Sequence, residues 1–208
     1  MDFPHFFAEA PTITMRDPLA AFLGASARGI MTYSYADAVK LAGHSCPTVA
    51  GAYLMVRAGL TYLYGDEPPE RGGIEVYLRG GREEGTTGVV AAVAMLITGA
   101  AAETGFGGIG ADGRFGRRDL LQFDAPIDGL LALRRRDNGR GVVLDLDTAR
   151  VPPAAEMPQL FPKVVAGQAG EDEQARFAAL WQERVARMLI DHADDRDLVH
   201  VGSWEAAA

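Results

Sequence analysis

The first feature of the sequence that could carry out chemistry is the run Gly43-His44-Ser45-Cys46-Pro47, which contains the only cysteine of the chain. Pro47 opens a long apolar stretch, and proline is favoured at the first position of a helix because its missing N–H would be unpaired there anyway. This spacing predicts that Cys46 is the N-cap residue of that helix. The free N–H groups and the positive end of the helix dipole favour a thiolate, which is the form that binds metals and attacks electrophiles.

His44 lies two residues before Cys46, so we expect imidazole and thiolate to share one space. This donor pair suits a transition metal, with zinc first and iron or copper as alternatives, and predicts His44 and Cys46 as metal ligands. The same pair fits a cysteine-nucleophile enzyme in which Cys46 attacks and His44 is the base. A Cys-Pro thiolate near a histidine can also ligate haem iron. A fourth hypothesis is an accessory module whose site has no chemistry, and the residues alone leave these alternatives open.

A second candidate site involves the basic residues Arg117 and Arg118. They follow a glycine-rich run at 105–110 that matches the GxGxxG pattern letter for letter. The run follows a helix-like stretch instead of a strand, so we expect a loop and not a dinucleotide fingerprint. Arg117 and Arg118 are predicted to bind the phosphate or carboxylate of a small-molecule ligand or cofactor. The later run 134–136 is predicted to lie on a solvated strand face.

The helices and strands that position these residues can be predicted from hydrophobic periodicity and from glycine and proline residues. The pattern predicts helices at 35–41, 47–64, 87–102 and 171–191, strands at 74–79, 120–124, 130–136 and 141–147, and a last strand at 197–204. A proline-containing loop is expected after residue 151. The order predicts an α+β fold with a mainly antiparallel sheet packed with helices. We expect a core domain at 1–165, with a C-terminal helix and tail at 166–208 packed on the core or on a partner subunit.

Composition excludes several classes of function. The net charge of -8 argues against nucleic-acid binding, which needs a basic surface. One cysteine excludes a disulfide framework within the chain. The most apolar segment, 89–102, is shorter than the ~20 residues of a membrane span, so no membrane association is expected. The N-terminal residues lack a basic region before an apolar one, so we expect no secretory signal and a cytoplasmic location.

One family shares the residues around the cysteine. Gly43-His44-Ser45-Cys46-Pro47, followed by Ala50-Gly51-Ala52-Tyr53 and Arg57-Ala58-Gly59, resembles the His-Gly-His-x-Cys-Pro-Gly motif and helix of the formylmethanofuran dehydrogenase FmdE family. Thr98-Gly99-Ala100-Ala101 and Gly116-Arg117-Arg118-Asp119-Leu120 are similar to its second motif, Thr-Gly-Cys-Thr followed by Gly-Lys-Gly-Asn-Leu. The resemblance spans roughly residues 30–150.

This resemblance implies an α+β core, a homodimer, and a histidine and cysteine site that binds a metal. The chain departs from the family at Ala42 or Leu41, which replaces the first histidine of the motif, and at Ala100, which replaces the cysteine of the second motif. With a single cysteine, it also lacks the zinc ribbon that many members carry. Only His44 and Cys46 therefore carry over as ligands, and the losses argue against participation in formylmethanofuran chemistry.

Overall fold

The structure is a computed structural model that describes residues 3–205. The helices are α1 (Pro18–Phe22), α2 (Tyr35–Ala42), α3 (Pro47–Tyr64), α4 (Thr87–Thr98), α5 (Met157–Val165) and α6 (Glu171–Leu189). The strands are β1 (Ile13–Arg16), β2 (Ile30–Tyr33), β3 (Ile74–Leu78), β4 (Leu121–Gln122), β5 (Leu131–Arg135), β6 (Gly141–Leu146) and β7 (Val199–Trp204). None of the described helices is long and apolar enough to cross a membrane.

The strands form two sheets. β1 and β2 pair antiparallel in a small sheet, and the larger sheet has the order β4-β3-β5-β6-β7. Its pairings are antiparallel except for the short parallel contact between β3 and β4. The hairpin between β5 and β6 turns at Asn138-Gly139, and Gly139 has the positive φ that such turns favour. The α+β fold class is therefore confirmed.

Helix α3 is the central helix of the core. It contacts α4, α2 and α6 as well as strands β5, β6 and β7. Residues Val49 to Val56 are all buried, so this part of the helix is enclosed on every side. Because Cys46 is the N-cap of this helix, the predicted site lies at the N-terminal end of an element that is firmly packed in the core.

Most predicted boundaries lie within two residues of those in the structure, and three regions differ more substantially. Helix α4 ends at Thr98 and not at 102, because Gly99 adopts the left-handed conformation that terminates helices. The predicted strand at 120–124 is reduced to the two residues of β4. The predicted proline-containing loop instead includes helix α5, whose apolar residues Met157 and Leu160 pack against α6. The division of the chain at residue 165 stays a prediction.

Candidate functional site

The loop between α2 and α3 has the local geometry that its residues predict. Gly43 ends α2 with φ 76°, a conformation that costs glycine little. Pro47 is the first residue of α3, and Cys46 is its N-cap with extended backbone angles. The Val49 backbone N–H donates to Cys46 Sγ at 3.4 Å. The predicted N-cap position of the half-buried Cys46 is confirmed.

His44 lies exposed on this loop, and one of its ring nitrogens is already engaged. Its Nδ1 atom lies 2.9 Å from the carbonyl oxygen of Ala42. A carbonyl oxygen only accepts, so Nδ1 must carry the proton and donate it. The lone pair of the neutral ring is therefore on Nε2, which remains available to a metal or a proton.

Ser45, between the two candidate residues, is anchored by the C-terminal helix. Its carbonyl oxygen accepts hydrogen bonds from Trp181 Nε1 at 3.0 Å and Gln182 Nε2 at 3.2 Å. Its hydroxyl donates to Gln182 Oε1 at 2.9 Å and lies 3.0 Å from the hydroxyl of Tyr35. Burial raises the pKa of Tyr35 well above its usual range, so this phenol stays protonated. Three hydrogen bonds with α6 and one contact with Tyr35 of α2 thus fix the short loop that carries His44 and Cys46.

The donor set at this loop is incomplete for a closed metal site. Within residues 3–205, no three side chains of histidine, cysteine, aspartate or glutamate come together as a group that could hold a metal ion. His5 pairs with Glu9, and His192 pairs with Asp195 at 2.7 Å. Zinc takes four donors in structural sites, and one chain offers two at this loop.

The structure separates Arg117 and Arg118, which the sequence grouped together. Arg118 is exposed, and its Nε donates to the carbonyl oxygen of Gly105 at 3.3 Å. Arg117 is buried with 6% of its surface exposed, and its Nη2 donates to Asp17 Oδ1 at 2.8 Å. Arg117 therefore forms a buried ion pair in this fold. Arg117 and Arg118 nevertheless line the same cleft.

Asp17 is the centre of a cluster that the sequence did not reveal. It is the N-cap of α1, where its Oδ1 accepts from the backbone N–H groups of Leu19 and Ala20. Arg71 donates to its other oxygen at 3.0 Å. Burial by itself would raise the pKa of Asp17, but the Ala20 N–H and the two guanidinium groups outweigh it and hold the pKa below its usual value.

Arg71 and Arg117 thus share one carboxylate. Arg71 also donates to the carbonyl oxygens of Leu96 and Ile97 at the end of α4. Burial, assisted by the nearby charge of Arg71, lowers the pKa of Arg117 although Asp17 opposes the shift. Gly99 makes room for Arg117, since a Cβ atom at Gly99 would lie 2.3 Å from Arg117 Nη1. The local signal that could have revealed Asp17 is the pair Asp17-Pro18, a typical helix start.

Comparisons with known proteins add a likeness of structure. No protein-family model matches the chain, and no curated protein is significantly similar to it in sequence. Among solved structures, the chain is similar to a tungsten formylmethanofuran dehydrogenase FmdE-like protein from Syntrophus aciditrophicus, at 15% identity and a TM-score of 0.46. The match covers 84% of this chain and 74% of that chain. Membership of the FmdE family stays a prediction.

Proposed function

We propose that the chain is a metal-binding protein that holds zinc with His44 Nε2 and Cys46 Sγ, in a site shared by two copies of the chain. The observation that carries the proposal is the contact of 2.9 Å between His44 Nδ1 and the carbonyl oxygen of Ala42. Histidine ligands of metals characteristically donate their second ring N–H to a carbonyl or carboxylate, which fixes the tautomer and the ring orientation.

The position of Cys46 supports the same proposal. A metal-bound cysteine is a thiolate, and the Val49 N–H at 3.4 Å from Sγ is a donor that stabilises negative charge on sulfur. Imidazole nitrogen and thiolate sulfur together suit zinc better than they suit magnesium or calcium, which prefer oxygen ligands. The anchored carbonyl of Ser45 keeps the two donors on a rigid loop, which limits the entropy lost on binding.

The incomplete donor set favours a shared site. Two donors from each of two chains would give the Cys₂His₂ set of a tetrahedral structural zinc. His44 is exposed on the surface loop, where a second copy has access to it. A zinc ion enclosed by four protein donors would join two subunits instead of activating a substrate. The homodimer is part of this proposal, and the cytoplasmic location stays a prediction.

Zinc titration of matched variants tests the proposal. Cys46→Ser keeps a capping side chain and His44→Gln changes an exposed residue, so both variants should fold. We expect each to lose at least about tenfold in zinc affinity, since each removes a ligand. His200→Gln is the matched control, because His200 is an exposed histidine on β7. The proposal is wrong if Cys46→Ser binds zinc as tightly as the unchanged protein.

A cysteine nucleophile is the second candidate, favoured by the same Val49 N–H donor to Sγ. In this function His44 Nε2 would accept the thiol proton. The test is alkylation of the metal-free protein by iodoacetamide at pH 6, where an ordinary protonated thiol barely reacts. Fast labelling that His44→Gln abolishes supports the nucleophile. Slow labelling, together with tight zinc binding, supports the metal site and argues against the nucleophile.

A further inference from the structure

An arginine-rich cleft of about 600 Å³ lies outside the His44 and Cys46 loop. Its lining includes Gly107 and residues 113–118, together with residues at the end of β1 and residues 70–72, which precede β3. Six arginines line it: Arg16, Arg71, Arg114, Arg117, Arg118 and Arg136. A concentration of positive charge is unexpected in a chain whose net charge is -8.

Carboxylates within the described chain neutralise only part of this charge. Arg16 pairs with Glu70, and Asp17 is shared by Arg71 and Arg117. In residues 3–205, the other three arginines of the cleft form no ion pair with a carboxylate. Arg118 and Arg136 donate to backbone carbonyl oxygens, and Arg114 stacks on the ring of Phe115 at 4.4 Å. These guanidinium groups keep N–H donors for a further acceptor, since each has five.

The buried Arg117 gives a second and independent indication. In the described structure, its Nε and Nη1 atoms are inaccessible to solvent and have no hydrogen-bond partner. Buried polar groups without partners are rare in native proteins. These two atoms pack against the backbone of Gly72 and Gly99, so an anion in the cleft would stabilise Arg117 through its charge and not by bonding to them. Because Arg71 and Arg117 share a single carboxylate, this buried cluster carries an excess positive charge. An anion at the cleft would offset it.

The backbone of the cleft wall is also unusual. Phe115 has φ 65°, which is rare for a bulky side chain, and it lines the cleft beside Arg114. The segment 107–116 folds back on itself through paired hydrogen bonds between Ile109 and Arg114, of 2.8 and 3.0 Å. Strained backbone held in place by ordered neighbours is concentrated at ligand sites.

We propose that this cleft binds a small molecule through its phosphate or carboxylate oxyanion groups. Guanidinium groups bind both kinds of oxyanion with paired N–H donors. The volume lies within the range of small-molecule sites. The proposal does not depend on the function of His44 and Cys46, whose loop does not line the cleft.

Binding of three probes by calorimetry tests the proposal: inorganic phosphate, pyrophosphate and citrate, each at constant ionic strength. The test variant is Arg118→Gln with Arg136→Gln, because both side chains are exposed and their removal should not unfold the protein. The matched control is Arg140→Gln with Arg196→Gln, which removes the same charge from exposed positions outside the cleft. We expect saturable binding of at least one probe, weakened about tenfold or more in the test variant and less than about twofold in the control.

The pattern of binding also identifies the anion. Binding of phosphate or pyrophosphate without citrate assigns the cleft to a phosphorylated ligand, and the reverse assigns it to a carboxylated one. A thermal midpoint that rises with probe concentration in the unchanged protein provides an independent measurement. The proposal is overturned if none of the three probes binds saturably, or if the control variant loses as much affinity as the test variant.

Discussion

Replacing Asp17 by asparagine should destabilise the protein far more than the change of one atom suggests. Asp17 Oδ1 accepts from Leu19, Ala20 and Arg117, and Oδ2 accepts from Arg71. An asparagine can keep its oxygen in the first position and so retain the cap of α1. Its NH₂ group then faces Arg71, which places two donors against each other.

The magnitude follows from the burial of the pair. The side chains of Asp17 and Arg117 are 4% and 7% exposed, so water cannot replace the lost carboxylate. Removing one partner of a buried ion pair costs about 3–5 kcal/mol. We expect the lower end, about 3 kcal/mol, because the amide oxygen still accepts from Arg117 and Arg71 keeps its bonds to α4. For a chain of this size, that loss lowers the thermal midpoint by about 6–12 °C.

Thermal unfolding followed by circular dichroism at pH 7 measures the effect. The control is Asp147→Asn, because Asp147 is the exposed N-cap of the short 3₁₀ helix Thr148–Arg150 and accepts from the Ala149 N–H at 2.9 Å. It should shift the free energy of unfolding by no more than about 0.5 kcal/mol. If Asp17→Asn and Asp147→Asn lower the midpoint equally, the reasoning about the buried cluster is refuted.

Three further predictions follow from other contacts. Because the pKa of Asp17 is lowered in the folded protein, its contribution to stability is complete above about pH 4 and is lost as the pH falls below that value. Below about pH 4, the denaturant midpoint of the unchanged protein should therefore fall more steeply with pH than that of Asp17→Asn. Tyr53→Phe should cost about 1–3 kcal/mol in equilibrium unfolding, because the hydroxyl lies 2.8 Å from the carbonyl oxygen of Pro11 and 3.0 Å from that of Tyr33 and shares its one proton between them. Trp181→Phe removes a donor to the Ser45 carbonyl oxygen and should weaken zinc binding about tenfold in the zinc titration proposed above. An unchanged zinc affinity would show that anchoring the loop does not matter.

Local signals make the main helices and the site loop predictable. Pro47 after Cys46 and Gly43 before it act within one or two residues, so their effect on helix boundaries does not depend on the rest of the fold. The predicted start of α3 is therefore confirmed. The residue types at 44 and 46 also indicate metal or thiolate chemistry, but whether the site binds metal stays a prediction.

Long-range contacts are not predictable in the same way. The ion pair between Asp17 and Arg117 joins residues 100 positions apart, and no local pattern links them. The prediction of a loop where α5 lies is wrong for a related reason. Pro162 removes a hydrogen bond inside the helix, but burial of Leu160 against Leu180 of α6 compensates for it. Tertiary packing decides the structure where the local signal points to a loop.

Native mass spectrometry in the presence of one equivalent of zinc tests the central claim most directly, since it reports metal content and subunit number together. We predict a species of twice the 22.2 kDa chain mass that carries one zinc ion, and its loss in Cys46→Ser but not in His200→Gln. A zinc-free monomer of the unchanged protein, or one zinc bound equally by Cys46→Ser, would contradict the shared His44 and Cys46 site.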